Sequence, residues 1–299
     1  MGIDPHDQAG YDALQARLVP LWTSLERLNT DEQTIVVVPN AEVDVELSPS
    51  ELQAYEERFL FLLLLLRQPR ARMVYVTGQT INPDIVDYYL DLMPGVMASH
   101  VRRRLVLLSP MEATFRPLSR KVLERPRLIE AIRSHVADPS RAHLISFMTT
   151  WDDRDLAMRL DIPLYGADPK DAYLGTKSMG RELFAEAGVA HPVGREHLRT
   201  REDVMRAITG LRRSHADLTA VVVKHNEGVS GFGNAVLDLS TVPPSGHAGE
   251  DSAVEALLDG IHTGMPGVGS NAFFDTLARE GGVVEAMVTG VEIRSPSVQ

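Results

Sequence analysis

At 299 residues the chain exceeds the ~100 to 200 residues of an ordinary domain, so two units are expected. A hydrophobic share of 44% against 24% charged residues excludes a disordered chain, and a formal charge of −11 argues against nucleic acid or an anionic membrane surface as a general partner. With no cysteine there are no disulfides, no thiolate zinc site and no thiol nucleophile, which fits a reducing compartment.

Met1 to Gly10 is acidic and lacks an apolar stretch of signal-peptide type, so a cytoplasmic protein is expected. From there to about residue 165, β-branched runs alternate with helical patterns, the rhythm of an α/β, Rossmann-like layout with a mostly parallel sheet. Strands are predicted at Ile35 to Val38, Met73 to Thr77, Leu105 to Leu108 and His143 to Phe147. Helices are predicted at Leu52 to Leu66, Asp84 to Leu92 and Leu118 to Val136. The apolar run Phe59 to Leu66 has eight residues, short of the ~20 that span a bilayer, and reads as a mostly buried helix. The turn Thr77-Gly78-Gln79-Thr80 precedes a helix start at Asn82-Pro83; it is either a plain turn or a place where free N–H groups hold an anion. Arg102 to Arg104 reads as the approach to a strand, and Asp152, Asp153 and Asp155 as the solvated start of a helix rather than a metal site. His135, His143, His191 and His225 lack the spacing of metal ligands and read as structural or surface residues.

Tyr165, Gly166, Asp168 and Pro169 break the pattern, giving units 1–168 and 169–299. The second unit is predicted to hold a helix at Ser178 to Ala187 closed by Gly188, and another within Leu198 to His215. Strands follow at Leu218 to Lys224 and Asn234 to Leu239, close enough to form an antiparallel hairpin. Gly- and Pro-rich loops at Thr241 to Asp251 and Gly264 to Ser270 surround helices near Ala253 to Leu258 and Phe273 to Glu280, and a last strand covers Val283 to Val288.

The strongest local constellation runs from Val221 to Asn234: Lys224 ends a strand, and His225-Asn226-Glu227-Gly228-Val229-Ser230-Gly231-Phe232-Gly233 lead into the next. Glycine lets backbone N–H groups wrap phosphate oxygens, and the ammonium adds a point charge. The spacing is that of neither a Walker loop nor a dinucleotide fingerprint, and a hairpin with an ordinary edge lysine is the competing reading.

Three blocks in order resemble the ATP-grasp superfamily. Gly175-Thr176-Lys177-Ser178, with Leu183, Phe184, Ala185, Gly188, Val189 and Pro192, resembles the first lysine block. Lys224 with Gly228 to Gly233 resembles the second, and Val283 to Glu292 resembles the acidic hinge that grips adenine. Tyr75-Val76-Thr77-Gly78-Gln79, Asp87 to Leu92, Pro163 to Gly166, Asn226-Glu227-Gly228 and Arg294-Ser295-Pro296-Ser297 are similar to actinobacterial peptide ligases of the pheganomycin type, a likeness running from Ile35 to Gln299. The chain has Phe232 where that subfamily often carries an acid at the hairpin tip.

The resemblance implies a Rossmann-like pre-ATP-grasp domain over 1–168 and the N-terminal portion of an ATP-grasp domain over 169–299. It implies an ATP-dependent carboxylate–amine ligase acting through an acylphosphate, with a non-catalytic ATP-binding module or an ATP-grasp phosphotransferase as alternatives. Lys177, Lys224, Asn226, Glu227, Gly228, Ser230, Gly231 and Gly233 would surround the phosphates, and Lys224 would also lie close to adenine. Glu285, Ala286, Met287 and Val288 would read adenine, and Glu292 the ribose hydroxyls, with Arg294 a tentative catalytic residue. Magnesium would accompany ATP on ligands expected after Gln299, so the chain reads as an incomplete form with no metal ligand of its own. The partners implied are small-molecule carboxylates and amines or peptides, with no nucleic acid and no membrane; homodimerisation is left open.

Overall fold

The computed structural model describes residues 7–28, 32–40, 47–93, 95, 97–228, 231, 233–261 and 269–290. The chain divides into two compact units, Met1–Lys170 and Asp171–Gln299.

In the first unit, strands β1 (Gln33–Val37), β2 (Ala71–Val76), β3 (Leu105–Leu108), β4 (Ala142–Ile145) and β5 (Leu164–Tyr165) form one sheet in the order β3-β2-β1-β4-β5. All four pairings are parallel, which makes this unit Rossmann-like. The helices are α1 (Gln8–Gln15), α2 (Leu18–Leu28), α3 (Pro49–Glu57), α4 (Pro83–Asp91), α5 (Ala98–Arg102), α6 (Leu118–Leu123), α7 (Pro126–His135) and α8 (Trp151–Leu160). Strand residues alternate between two cores. Val36, Val74 and Leu144 meet α6, α7 and α8, whereas Ile35, Met73 and Tyr75 meet α4 and a 3-10 segment, Arg58–Arg67.

That 3-10 segment corrects the expected single helix Leu52 to Leu66. The α-helix stops at Glu57, and a three-residue period then stacks Leu60, Leu63 and Leu66 into the core. Phe61 and Leu64 are left half exposed, so the apolar run is not buried all round. The predicted helix Leu118 to Val136 is likewise two helices. Pro126 cannot donate a helical hydrogen bond and holds Arg125 out of the helical region, at φ −123° and ψ 83°, so α6 ends and α7 begins there.

The acidic cluster beside Trp151 is not solvated. Asp153 is fully buried at the third position of α8, where it closes a capping box with Thr150. Asp155 is also buried. The turn after β2 has its N–H groups occupied: Gly78 donates to Glu56 Oε2 at 2.5 Å and Gln79 to Gln53 Oε1 at 3.2 Å. Asn82 caps α4, with Pro83 in its first turn. Among the described residues no helix is long and apolar enough to cross a membrane.

In the second unit, β6 (Gly194–Leu198), β7 (Ala220–His225), β8 (Asn234–Asp238) and β9 (Gly282–Ala286) form an antiparallel sheet in the order β6-β9-β7-β8. Its helices are α9 (Lys177–Glu186), α10 (Arg201–Ser214), α11 (Glu250–Asp259) and α12 (Ser270–Glu280). The helix expected within Leu198 to His215 starts later than its first apolar residue. Thr200 caps it in a box with Asp203, and Leu198 belongs to β6. The final strand ends at Ala286 rather than Val288. Val221, Val223 and His225 point toward α10 and α12, and alternation puts Val222 and Lys224 on the opposite face.

Candidate nucleotide-binding site

Register determines what shares the Lys224 face. In the antiparallel pairing of β7 with β9, Val222 lies opposite Glu285 and Lys224 opposite Val283. Glu285 therefore sits one step along from Lys224 on the same side of the sheet, and the two side chains join: Lys224 Nζ donates to Glu285 Oε2. The other carboxylate oxygen accepts from Arg181 Nη1 at 2.9 Å. Burial raises the Glu285 carboxyl, but the hydrogen bonds from Lys224 and Arg181 outweigh it and leave the group below its usual range.

Lys177 opens α9, whose N-cap is Thr176. Its ammonium donates to the carbonyl of Gly228 at 2.5 Å, with the Asn226 carbonyl at 3.4 Å. Burial lowers its pKa, and the positive charge of Lys224 lowers it further. The two lysines thus lie within each other's field, on either side of the glycine turn. Two half-buried cations this close, one paired with Glu285 and the other held by backbone carbonyls, form a ready place for a polyanion.

Asn226 fastens these parts together. Its side-chain oxygen accepts from Ser178 N at 3.0 Å and from Ser178 Oγ at 2.8 Å, and its Nδ2 donates to the Glu280 carbonyl at 3.0 Å. The Asn226 amide is therefore engaged by protein groups, which ties α9, the turn and the chain before β9 to one another. Gly233 closes the turn at φ +78°, and a Cβ there would fall 2.8 Å from Nδ1 of His225. His225 is itself fixed, with Nε2 on the Phe273 carbonyl at 3.0 Å and its ring 4.2 Å from that of Phe273.

Of the remaining predicted site residues, Glu227 is exposed and acts on the Lys177 charge. Gly228 supplies the carbonyl already described, and Gly231 adopts φ +84° in the turn. At the hinge, the N–H of Ala286 donates to Val193 O at 2.8 Å and that of Met287 to Ala220 O at 3.0 Å. Met287 and Val288 have exposed side chains. Ser230, Glu292 and Arg294 lie outside the described residues.

Sequence reasoning missed Arg181. It is buried, and besides Glu285 its guanidinium donates to Glu196 Oε1 at 2.6 Å and to the Pro192 carbonyl at 2.8 Å. It follows Lys177 by four residues, the spacing that puts two side chains on one helix face, and that spacing was the available signal. Gly194 makes room for it: a Cβ there would stand 2.7 Å from Nη2 of Arg181 and 2.5 Å from the Val284 carbonyl.

Residues 170–254 match a family model described as IQCH-like, ATP-grasp. The chain is 34% identical over 196 residues to the L-propargylglycine–L-glutamate ligase of Streptantibioticus cattleyicolor, covering 61% of this chain and 39% of that protein. It is 26% identical over 242 residues to IQ motif-containing protein H of Danio rerio, covering 75% of this chain and 23% of the relative. The chain thus spans well under half the length of these curated relatives. Among solved structures it is similar to the ADP complex of purK, an N5-carboxyaminoimidazole ribonucleotide synthetase, with TM-score 0.42 and 10% identity over 86% of this chain and 47% of that one. The Thermus thermophilus N5-carboxyaminoimidazole ribonucleotide synthetase gives TM-score 0.36 and 14% identity over the same shares. The likeness to an ATP-grasp family thus falls on the segment 170–254, which carries both lysines and the glycine turn.

Proposed function

We propose that this chain provides the nucleotide-binding part of an ATP-dependent ligase that joins a carboxylate to an amine or peptide. The observation that carries this reading is the meeting of Lys177 and Lys224 across the Gly228 turn, with Glu285 beneath Lys224. Residues 1–168 would serve as the pre-ATP-grasp domain and 169–299 as the lysine-bearing portion of the ATP-grasp domain. The likeness to a ligase named for joining two amino acids supports an amide-forming reaction.

In this reading the polyphosphate takes over the Lys177 ammonium from the carbonyls that now accept it, and engages Lys224 beside its Glu285 partner. The N–H groups at Gly228, Ser230, Gly231 and Gly233 line the phosphates. Because Ala286 and Met287 have committed their N–H groups, adenine is read by hinge carbonyls and by Val288 N–H, with Glu292 on the ribose. Magnesium belongs with the phosphates, yet the described residues contain no group of three His, Asp or Glu able to hold it, and no step here passes through it. A carboxylate oxygen of one substrate attacks the γ-phosphorus and ADP leaves, giving an acylphosphate. The amine nitrogen then attacks the carbonyl carbon, phosphate leaves, and loss of the amine proton completes the amide. The protein's part is to position these groups and offset charge, as phosphoryl transfer requires, while the turn excludes water from the acylphosphate. A cytoplasmic location suits this use of ATP.

A second reading, an ATP-binding module without ligation, draws on the match to IQ motif-containing protein H, whose name states no reaction. The full chain incubated with ATP, magnesium and a panel of carboxylates and amines separates the readings. Phosphate release that depends on both substrates, with an amide product, supports ligation. ATP binding without turnover supports the module, and a phosphorylated product that survives added amine supports phosphotransfer alone.

A further inference from the structure

At the amino-terminal edge of the first unit's sheet lies a cavity of about 280 Å3, where Gln33, Thr34, Arg70, Arg72, Asp138 and Arg141 are prominent in the lining. Its frame is set by strand pairing. Thr34, near the start of β1, lies between Arg72 of β2 and Ala142 of β4 in the parallel register. Arg70 comes from the turn ahead of β2, and Asp138 and Arg141 from the turn between α7 and β4.

Two features of the lining stand apart from the rest of this acidic chain. Three guanidinium groups face two carboxylates, Glu32 and Asp138, although the chain's net charge is −11. Arg70 and Arg72 form no ion pair with any described residue. Asp138 is occupied locally: it accepts from Ser140 N at 2.9 Å and Ser140 Oγ at 2.7 Å, and these bonds, with a smaller contribution from the Arg141 charge, hold it below the usual carboxylate range. The second feature is Gln33, only 4% exposed. Its Nε2 donates to Gln68 Oε1, but its Oε1 is buried with no hydrogen-bond partner. A buried acceptor without a donor is costly, and the residue that carries this one is among those lining the cavity.

We propose that this cavity is a second small-molecule site, taking a low-molecular-weight phosphoester that carries a hydroxyl group. The guanidinium forks of Arg70 and Arg72 hold the phosphate from the rim, with Arg141 adding positive charge, since arginine matches phosphate geometry in paired hydrogen bonds. The hydroxyl donates to Gln33 Oε1. The ligand's two chemistries, an oxyanion and a neutral donor, each answer an observed feature of the lining. This site lies in the first unit and does not depend on the ligase reading.

The test is calorimetric titration of the full chain with glycerol 3-phosphate and with inorganic phosphate at low ionic strength. The variants are Arg70→Gln, Arg72→Gln, Gln33→Leu and, as a control on the lysine site, Lys224→Met. Saturable one-to-one binding is expected in the wild type and in Lys224→Met, weakened about tenfold in each arginine variant. Gln33→Leu should weaken glycerol 3-phosphate and leave inorganic phosphate unchanged, a distinction that general loss of structure would not produce. Arg70 and Arg72 are exposed, so their variants keep the fold and decide the matter if Gln33→Leu does not. The proposal is overturned by absence of saturable binding up to ~10 mM. Equal binding in the wild type and both arginine variants, or binding that disappears in Lys224→Met, also overturns it.

Discussion

Two buried carboxylates, one in each unit, show how differently the same group is treated. Asp153 is enclosed by neutral partners: Ser119 Oγ, Thr150 Oγ1 at 2.8 Å, Thr150 N at 3.0 Å and Asn40 Nδ2 at 3.2 Å. Burial dominates there and pushes its pKa up, against those hydrogen bonds. Glu285 is enclosed by Lys224 and Arg181, and its pKa goes down despite burial. Desolvation acts on both, and the presence of cations decides the outcome. Asp153 serves as a knot joining the chain after β1 to α6 and α8, with Asn40 Oδ1 also accepting from Leu118 N at 2.8 Å. Glu285 stays ionised and keeps Lys224 on the sheet face where a polyanion would bind.

This contrast is most severely tested at Arg181. Replacing Arg181 by Met removes a buried cation from Glu285 and from Glu196, and should cost about 3 kcal/mol or more of unfolding free energy in urea titration. Arg181→Lys should recover part of that loss. A cost below about 1 kcal/mol would mean that Lys224 alone balances Glu285.

Asp153→Ala should cost less, about 2 kcal/mol, because it removes a helix cap and leaves Asn40 and Ser119 with fewer partners but exposes no unbalanced charge. An unchanged urea midpoint would show that the knot does not hold the first unit.

The two acids also have opposite signs in pH dependence. Glu285, lowered in the folded state, contributes stability that is present above its ordinary value of 4.5 and lost as pH falls through its folded pKa. Asp153, raised in the folded state, binds its proton more tightly when folded, so its contribution grows as pH falls toward its ordinary value of 3.8. Glu285→Gln should therefore flatten the loss of stability on acidification, and Asp153→Asn should steepen it. Melting temperatures between pH 3 and pH 7, about the range of these carboxylates, would check both signs.

The smallest stability effect is expected at Lys177. Its charge is disfavoured by burial and by Lys224, whereas its contacts with the Gly228 and Asn226 carbonyls favour it. Lys177→Met should leave unfolding free energy within about 1 kcal/mol of the wild type while weakening ATP. A large destabilisation would identify it as a structural lysine instead.

Much of the first unit's architecture was legible because its central strands are β-branched runs separated by helical patterns. β5 has only two residues, too short to carry a periodic signal. β6, Gly-Arg-Glu-His-Leu, has no β-branched residue, shifts register between Arg195 and Leu198, and holds His197 at φ 58°, so nothing in its sequence resembles a regular strand. At the site, Lys177, Lys224 and Glu285 were readable as blocks in order. Arg181 was not, because its burial depends on β6 passing close enough at Gly194. The Asn40 to Asp153 contact joins residues 113 apart and leaves no local trace. The carboxylates read as solvated were misjudged for that reason.

The central claim is that Lys177 and Lys224 address one polyphosphate. It is tested most directly by a double-mutant cycle on nucleotide affinity, measured by calorimetry with ATP and with adenosine for the wild type, Lys177→Met, Lys224→Met and the double variant. Each single change should weaken ATP by about tenfold or more, the double change should cost less or more than their sum, and adenosine binding through Lys177 should stay unchanged. Strictly additive losses that appear equally with adenosine, or undiminished ATP affinity in folded variants, would contradict the claim.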